Sequence, residues 1–147
     1  MNTIGSFILI KNEIQFIEAH LKAWLPHLDN MVFLDGNSTD GTLEVIKKFI
    51  LEDINGCKIT LLQNRDPKDL QDDYVRLFNQ ALGHVVSEVA FFLHPDMFPV
   101  SGVENLKKLG DGLAWITHME SYAGEPGMQL FRITQGRMEP WKNIMRL

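Results

Sequence analysis

Along the first hundred residues the spacing of apolar positions switches repeatedly between two periods. Ile4 to Ile10 is a short apolar run with a β-branched share, the mark of a buried strand. From Glu13 the period becomes helical. Ile14, Ile17, Leu21, Trp24, Leu25 and Leu28 fall on one face, and Pro26 ends the regular helix. Met31 to Leu34 is a second strand, Asp35 to Thr42 is composed of turn formers and helix caps, and Leu43, Ile46, Phe49 and Ile50 form a second helical stripe. Ile59 to Leu62 reads as a third strand. Asp66-Pro67 opens a long helix with Leu70, Tyr74, Leu77, Phe78, Ala81, Leu82 and Val85 along one face. Val89 to Leu93 shows no alternation, as expected of a strand covered on both sides.

Strands alternating with helices predict βαβ units, a mostly parallel sheet and right-handed crossovers. Beyond Pro99 the periodicity weakens. Val103, Leu106 and Leu109 predict a short helix ended by Gly110; Leu113 to Thr117 and Met128 to Ile133 predict two strands around the turn Gly124-Glu125-Pro126-Gly127, in an antiparallel arrangement.

Parallel sheets bind ligands beyond the carboxyl ends of their strands. Four segments fall there: Lys11-Asn12-Glu13, Asp35 to Thr42, Gln63-Asn64-Arg65-Asp66 and His94-Pro95-Asp96. The first, second and fourth of these, and Arg76 on the long helix, each have two readings. In the second segment, Asp35 can accept hydrogen bonds from a base edge or ribose hydroxyls, and the amides of the following helix can attract phosphate. The same residues can equally cap that helix, with glycines supplying the turn. Lys11 to Glu13 can line a nucleotide pocket or start a helix, with Asn12 as N-cap. Asp96 can hold a divalent cation through oxygen, and His94 can add a nitrogen ligand that suits Mn²⁺ better than Mg²⁺; alternatively Asp96 caps a turn. Arg76 can pair with phosphate or form an i,i+4 pair with Asp72 on a solvated face.

Composition narrows the function classes. The 147 residues fit one domain, and 45% hydrophobic with 22% charged residues is the balance of an ordinary globular chain. A net charge of -5 with scattered Lys and Arg argues against nucleic-acid binding and against a polybasic membrane patch. No apolar run approaches the roughly 20 residues of a membrane span, and Met1 to Ile10 reads as a strand and not a signal peptide. Cys57 is the single cysteine, so no intrachain disulfide forms, in keeping with a cytoplasmic location.

Taken together, the series Lys11-Asn12-Glu13, then Leu34-Asp35-Gly36-Asn37-Ser38-Thr39-Asp40-Gly41-Thr42, then Arg76 and Asn79, then an apolar strand ending in His94-Pro95-Asp96, resembles family 2 glycosyltransferases of the GT-A fold in order and spacing. The resemblance covers residues 3–99, and Gln129-Leu130-Phe131-Arg132 with Gly136 and Trp141 extends it more weakly. It implies an α/β, three-layer αβα sandwich in a shortened form: one domain over 1–147, with a nucleotide-sugar-binding half at 1–99 and a partial acceptor-side region at 100–147. It implies transfer of a hexosyl group from a nucleotide-diphosphate sugar, a UDP-sugar in the first instance, to an acceptor hydroxyl with inversion. The acceptor class (saccharide, lipid-linked or protein) and the oligomeric state stay open.

The same resemblance implies a nucleotide-sugar-binding set of Lys11, Asn12, Glu13, Asp35, Asp40 and Arg76. It implies Mn²⁺ or Mg²⁺ as cofactor, held by Asp96 and His94, and a catalytic base at Glu139 or, second, Glu120. The sequence departs from the family pattern in two places: His94 stands where the first acid of the triplet is usual, and Phe78 where an Arg is usual. These departures leave a second reading, a non-catalytic nucleotide-sugar-binding or partner-binding module that retains the GT-A fold.

Overall fold

In the computed structural model, residues 3–64, 74–101, 103–108, 118–121 and 129–132 are described. Four parallel strands form the central sheet: β1 (Ile4–Ile10), β2 (Asn30–Asp35), β3 (Lys58–Gln63) and β4 (Val89–Phe92), in the order β3-β2-β1-β4. Helices α1 (Ile14–Trp24) and α2 (Thr42–Glu52) cover one face, and α3 (Tyr74–Leu82) covers the other. This is the three-layer α/β arrangement expected from the alternating periods.

Strand alternation assigns the layers. Ile4, Ile8, Ile10, Met31 and Phe33 pack with Ile17, Leu21, Trp24, Ile46 and Phe49 on the α1–α2 side. Phe7, Leu9, Val32 and Leu34 meet Leu77, Phe78 and Ala81 on the α3 side. Each such fully buried side chain contributes about 1.5–3 kcal/mol, so these two layers outweigh any single polar contact. Three stripe positions lie at the rim, with Ile14 44%, Ile50 38% and Tyr74 40% exposed. A small residue is required at Gly5, because a side chain there would collide with Asn30, whose Oδ1 accepts a hydrogen bond from Ser87 at 2.9 Å.

Beyond the central sheet, β5 (Met97–Ser101), β6 (His118–Ser121) and β7 (Gln129–Arg132) form a second sheet in the order β5-β7-β6. β6 and β7 are antiparallel, as expected for this region, whereas β5 and β7 are parallel. The strand expected at Leu113 to Thr117 lies outside the described residues, and β6 follows directly. Residues 103–108 form a 3-10 helix where a short helix was expected. β5 itself is not foreseen by the apolar pattern, because Pro99 interrupts it. It is tolerated since β5 is an edge strand, and the register shifts between Pro99 and Ser101. The part of the expected third helix that precedes Tyr74 also lies outside the described residues; α3 is described from Tyr74.

Candidate functional site

The order β3-β2-β1-β4 reverses direction between β1 and β4, and in a parallel sheet that is where a crevice opens. The segments leaving β1 and β4 are Lys11-Asn12-Glu13 and His94-Pro95-Asp96. They are close enough that the Asp96 charge acts on Glu13. The half-buried Glu13 carboxyl has a raised pKa, first through burial, then through the charges of Asp96 and Asp40. Two of the four expected segments thus converge on the switch point, and the third, after β2, adjoins them.

The loops after β1 and β2 are joined by a set of reciprocal hydrogen bonds. The Asn12 amide donates to Ser38 Oγ at 2.9 Å, and Asn12 Oδ1 accepts from the Thr39 amide at 2.8 Å. The Glu13 amide donates to Thr42 Oγ1 at 2.9 Å, and that hydroxyl donates to Asp40 Oδ1 at 2.6 Å. Asp40 Oδ1 also accepts the Thr42 amide, and Oδ2 accepts the Ile14 amide, each at 3.0 Å. A single carboxylate therefore satisfies the first amide of both α1 and α2. Desolvation acts to raise the Asp40 pKa, but bonds from the Thr42 hydroxyl and the Ile14 and Thr42 amides together outweigh it and lower the pKa.

This geometry decides between the cap readings. Asn12 is not the N-cap of α1; Glu13 occupies that position, without a side-chain cap bond. Asn12 instead adopts φ 56°, and Asn37 φ 64°, left-handed conformations that asparagine tolerates better than most residues. Gly41 caps α2 at φ 100°, where a side chain would be strained. Asp35 ends β2 and is only 1% exposed; its two oxygens accept the Ser38 amide at 3.2 and 3.1 Å. It shapes the loop, and a carboxylate with four lone-pair directions retains capacity for a further donor. Lys11 is exposed on the loop after β1.

On the β4 side, the Met97 amide donates to the His94 carbonyl at 3.0 Å, closing a four-residue turn with partly exposed Asp96 in its third position. The His94 ring meets Phe92 edge-on at 4.8 Å, at the end of an aromatic series that includes Phe7, Phe78 and Tyr74. His94 is exposed, and partial desolvation among its neighbours lowers its pKa, which the Asp96 charge opposes. Arg76 lies exposed in the first described turn of α3, whose Tyr74 reaches Phe92 at 6.3 Å. Glu120 lies on β6, opposite Leu130 of β7, and Glu139 is outside the described residues.

Two residues hold this turn from below: Trp24, which the apolar pattern records only as part of a helical face, and His20, which that pattern omits. His20 is fully buried, with Nδ1 3.2 Å from the Met97 carbonyl oxygen, and Trp24 Nε1 donates to the same oxygen at 2.9 Å. The carbonyl can only accept, so Nδ1 carries the imidazole proton. Burial pushes the His20 pKa down to about 4, opposed only in part by the Met97 and Pro95 carbonyls. A histidine on an apolar stripe signals a buried imidazole, but its partner is 77 residues away in sequence.

For a divalent cation, the described residues supply no group of three or more His, Cys, Asp or Glu side chains. A hard ion that keeps several waters and takes phosphate oxygens needs only one or two protein ligands. Asp96, with His94 beside it, fits that requirement, and a cation there would offset the repulsion between Asp96 and Glu13. No described helix is long and apolar enough to cross a membrane.

No protein-family model matches the sequence, nor does any curated protein. The fold, by contrast, resembles the mannosyltransferase PcManGT from Pyrobaculum calidifontis, solved in complex with GDP-Man and Mn2+. The TM-score is 0.56 at 20% sequence identity, over 71% of this chain and 30% of that one. The chain is thus similar to less than a third of that protein's length, and what the two share is an α/β fold.

Proposed function

We propose that this chain binds the diphosphate of a nucleotide sugar at the β1–β4 switch point and passes the sugar to an acceptor hydroxyl. The observation that carries this reading is that the pairing of β4 beside β1 brings the segments of Glu13 and Asp96 together at the switch point, next to a loop already organised by Asp35 and Asp40. Asp35 would accept from the base or ribose, Arg76 and Lys11 would face the donor, and Asp96 with His94 would hold Mn²⁺ or Mg²⁺. Bound with the donor, the cation would offset charge on the departing diphosphate. The fold shared with a protein solved with GDP-Man and Mn2+ supports a nucleotide diphosphate as ligand. We take UDP as the first base to test and GDP as its competitor. The reading extends to inversion at the anomeric carbon, with a base at Glu139 or Glu120, and to one domain over 1–147.

One observation favours a second reading, a binding module without transfer: His94 leaves Asp96 as the only acid of its triplet. Incubation with UDP- and GDP-sugars, with Mn²⁺ or Mg²⁺ and simple sugar acceptors, separates the two. Release of free nucleoside diphosphate above background is expected for the transferase. Saturable binding with no release, across both bases and both metals, would leave only the module.

A further inference from the structure

Helix α1 touches both parts of the candidate site through hydrogen bonds that are not helical. At its N-terminus the Ile14 amide is fixed to Asp40, and the preceding Glu13 amide to Thr42, both on the nucleotide-side loop. Two and three turns on, His20 and Trp24 project from one face at i,i+4 spacing and share the Met97 carbonyl, the residue that closes the turn carrying Asp96. Ile14 and His20 are separated by about 9 Å along the axis at 1.5 Å per residue, and Ile14 and Trp24 by about 15 Å. The helix backbone does not stretch, so bonds at both ends fix the distance between the loop and the turn.

We infer that α1 is a spacer that sets the separation of the Asp35–Asp40 loop from Asp96, with His20 and Trp24 as the positioning residues for the metal-binding turn. Apolar packing alone would not require polar atoms here. A Leu and a Phe would fill the same layer, and His20 Nε2 is left buried without a hydrogen-bond partner. Keeping an imidazole despite that cost is explained by what Nδ1 holds. Both lone pairs of the Met97 carbonyl are occupied, which fixes the Met97–Phe98 peptide plane; with the Met97 amide bonded to the His94 carbonyl, the residue that closes the turn carrying Asp96 is anchored on both sides. The inference rests on the nucleotide-sugar reading and adds to it residues that touch neither ligand nor metal.

The test compares the affinity for UDP and GDP without and with Mn²⁺, by calorimetry on the full chain. The measured quantity is the factor by which Mn²⁺ tightens binding. Trp24→Phe keeps the ring and removes the N–H; His20→Leu removes the imidazole, and His20→Asn keeps a donor near the position of Nδ1. The Mn²⁺ factor is expected to fall about tenfold or more in Trp24→Phe and His20→Leu, as for other residues that orient a metal ligand, and to recover in His20→Asn. Metal-free affinity should stay within about twofold, since the Asp35 loop is untouched. An unchanged factor in Trp24→Phe, with a cooperative thermal transition, overturns the inference while leaving the site reading in place. If Trp24→Phe does not fold, the contrast between His20→Leu and His20→Asn decides, and an equal factor in both overturns it. Absence of any Mn²⁺ effect in the unsubstituted protein overturns the site reading and the inference with it.

Discussion

His20 and Asp96 show two ways a residue's burial decides what its titration or loss will do. His20 binds a proton only near pH 4 when folded, but near 6.5 when unfolded. Between those values the unfolded state holds the extra proton, so stability contributed by the neutral ring is complete above pH 6.5 and falls as the pH drops through 4. The loss reaches up to about 3 kcal/mol for one such group. Because His27 and His94 are shifted in the same direction, the check is a difference: urea unfolding of the native protein and of His20→Leu from pH 7 to 4. The variant should lose the larger part of the slope, and identical slopes would exclude His20 as its source. Asp96 lies partly exposed on a turn, so Asp96→Ala should change stability by no more than about 0.5 kcal/mol. It should nevertheless abolish the tightening of nucleotide binding by Mn²⁺. A variant still responding to Mn²⁺ would place the metal elsewhere.

Asp40 carries the corresponding argument for elements, because its carboxylate joins the starts of two helices. Asp40→Ala removes a cap from α1 and another from α2 at once, and caps are worth about 0.5–2 kcal/mol each. We expect a loss of about 1–3 kcal/mol in chemical denaturation, with Asp40→Asn intermediate, since an amide oxygen still accepts one of the bonds. A loss confined to a few tenths would mean the amides are satisfied by water instead. At this scale the sequence is easy to read where burial is continuous. β1 to β4, α1 and α2 lie where their apolar runs and stripes put them, because both faces of the sheet are covered. β5 is hidden by Pro99, and β6, His118-Met119-Glu120-Ser121, has one apolar residue in four and so shows no apolar run. The caps show the same division: residue types announce that 35–42 is a turn with capping groups, but Asp40 reaching across to Ile14 is a tertiary contact that no local pattern contains.

At the scale of the whole molecule, the strand order creates the site. Had β4 joined the sheet beside β3, His94-Pro95-Asp96 would lie far from Glu13; beside β1 it meets Glu13 at the switch point. The sequence pattern locates the carboxyl-end segments, since each follows an apolar run, and it cannot order the strands, since pairing is between segments distant along the chain. The central claim is that the convergent loops bind a nucleoside diphosphate jointly with a divalent cation. It is tested most directly by calorimetric titration of the intact chain with UDP and GDP, with and without Mn²⁺. The account predicts saturable binding of at least one of them, tightened by Mn²⁺; no heat from either at millimolar concentration, with or without the metal, would contradict it.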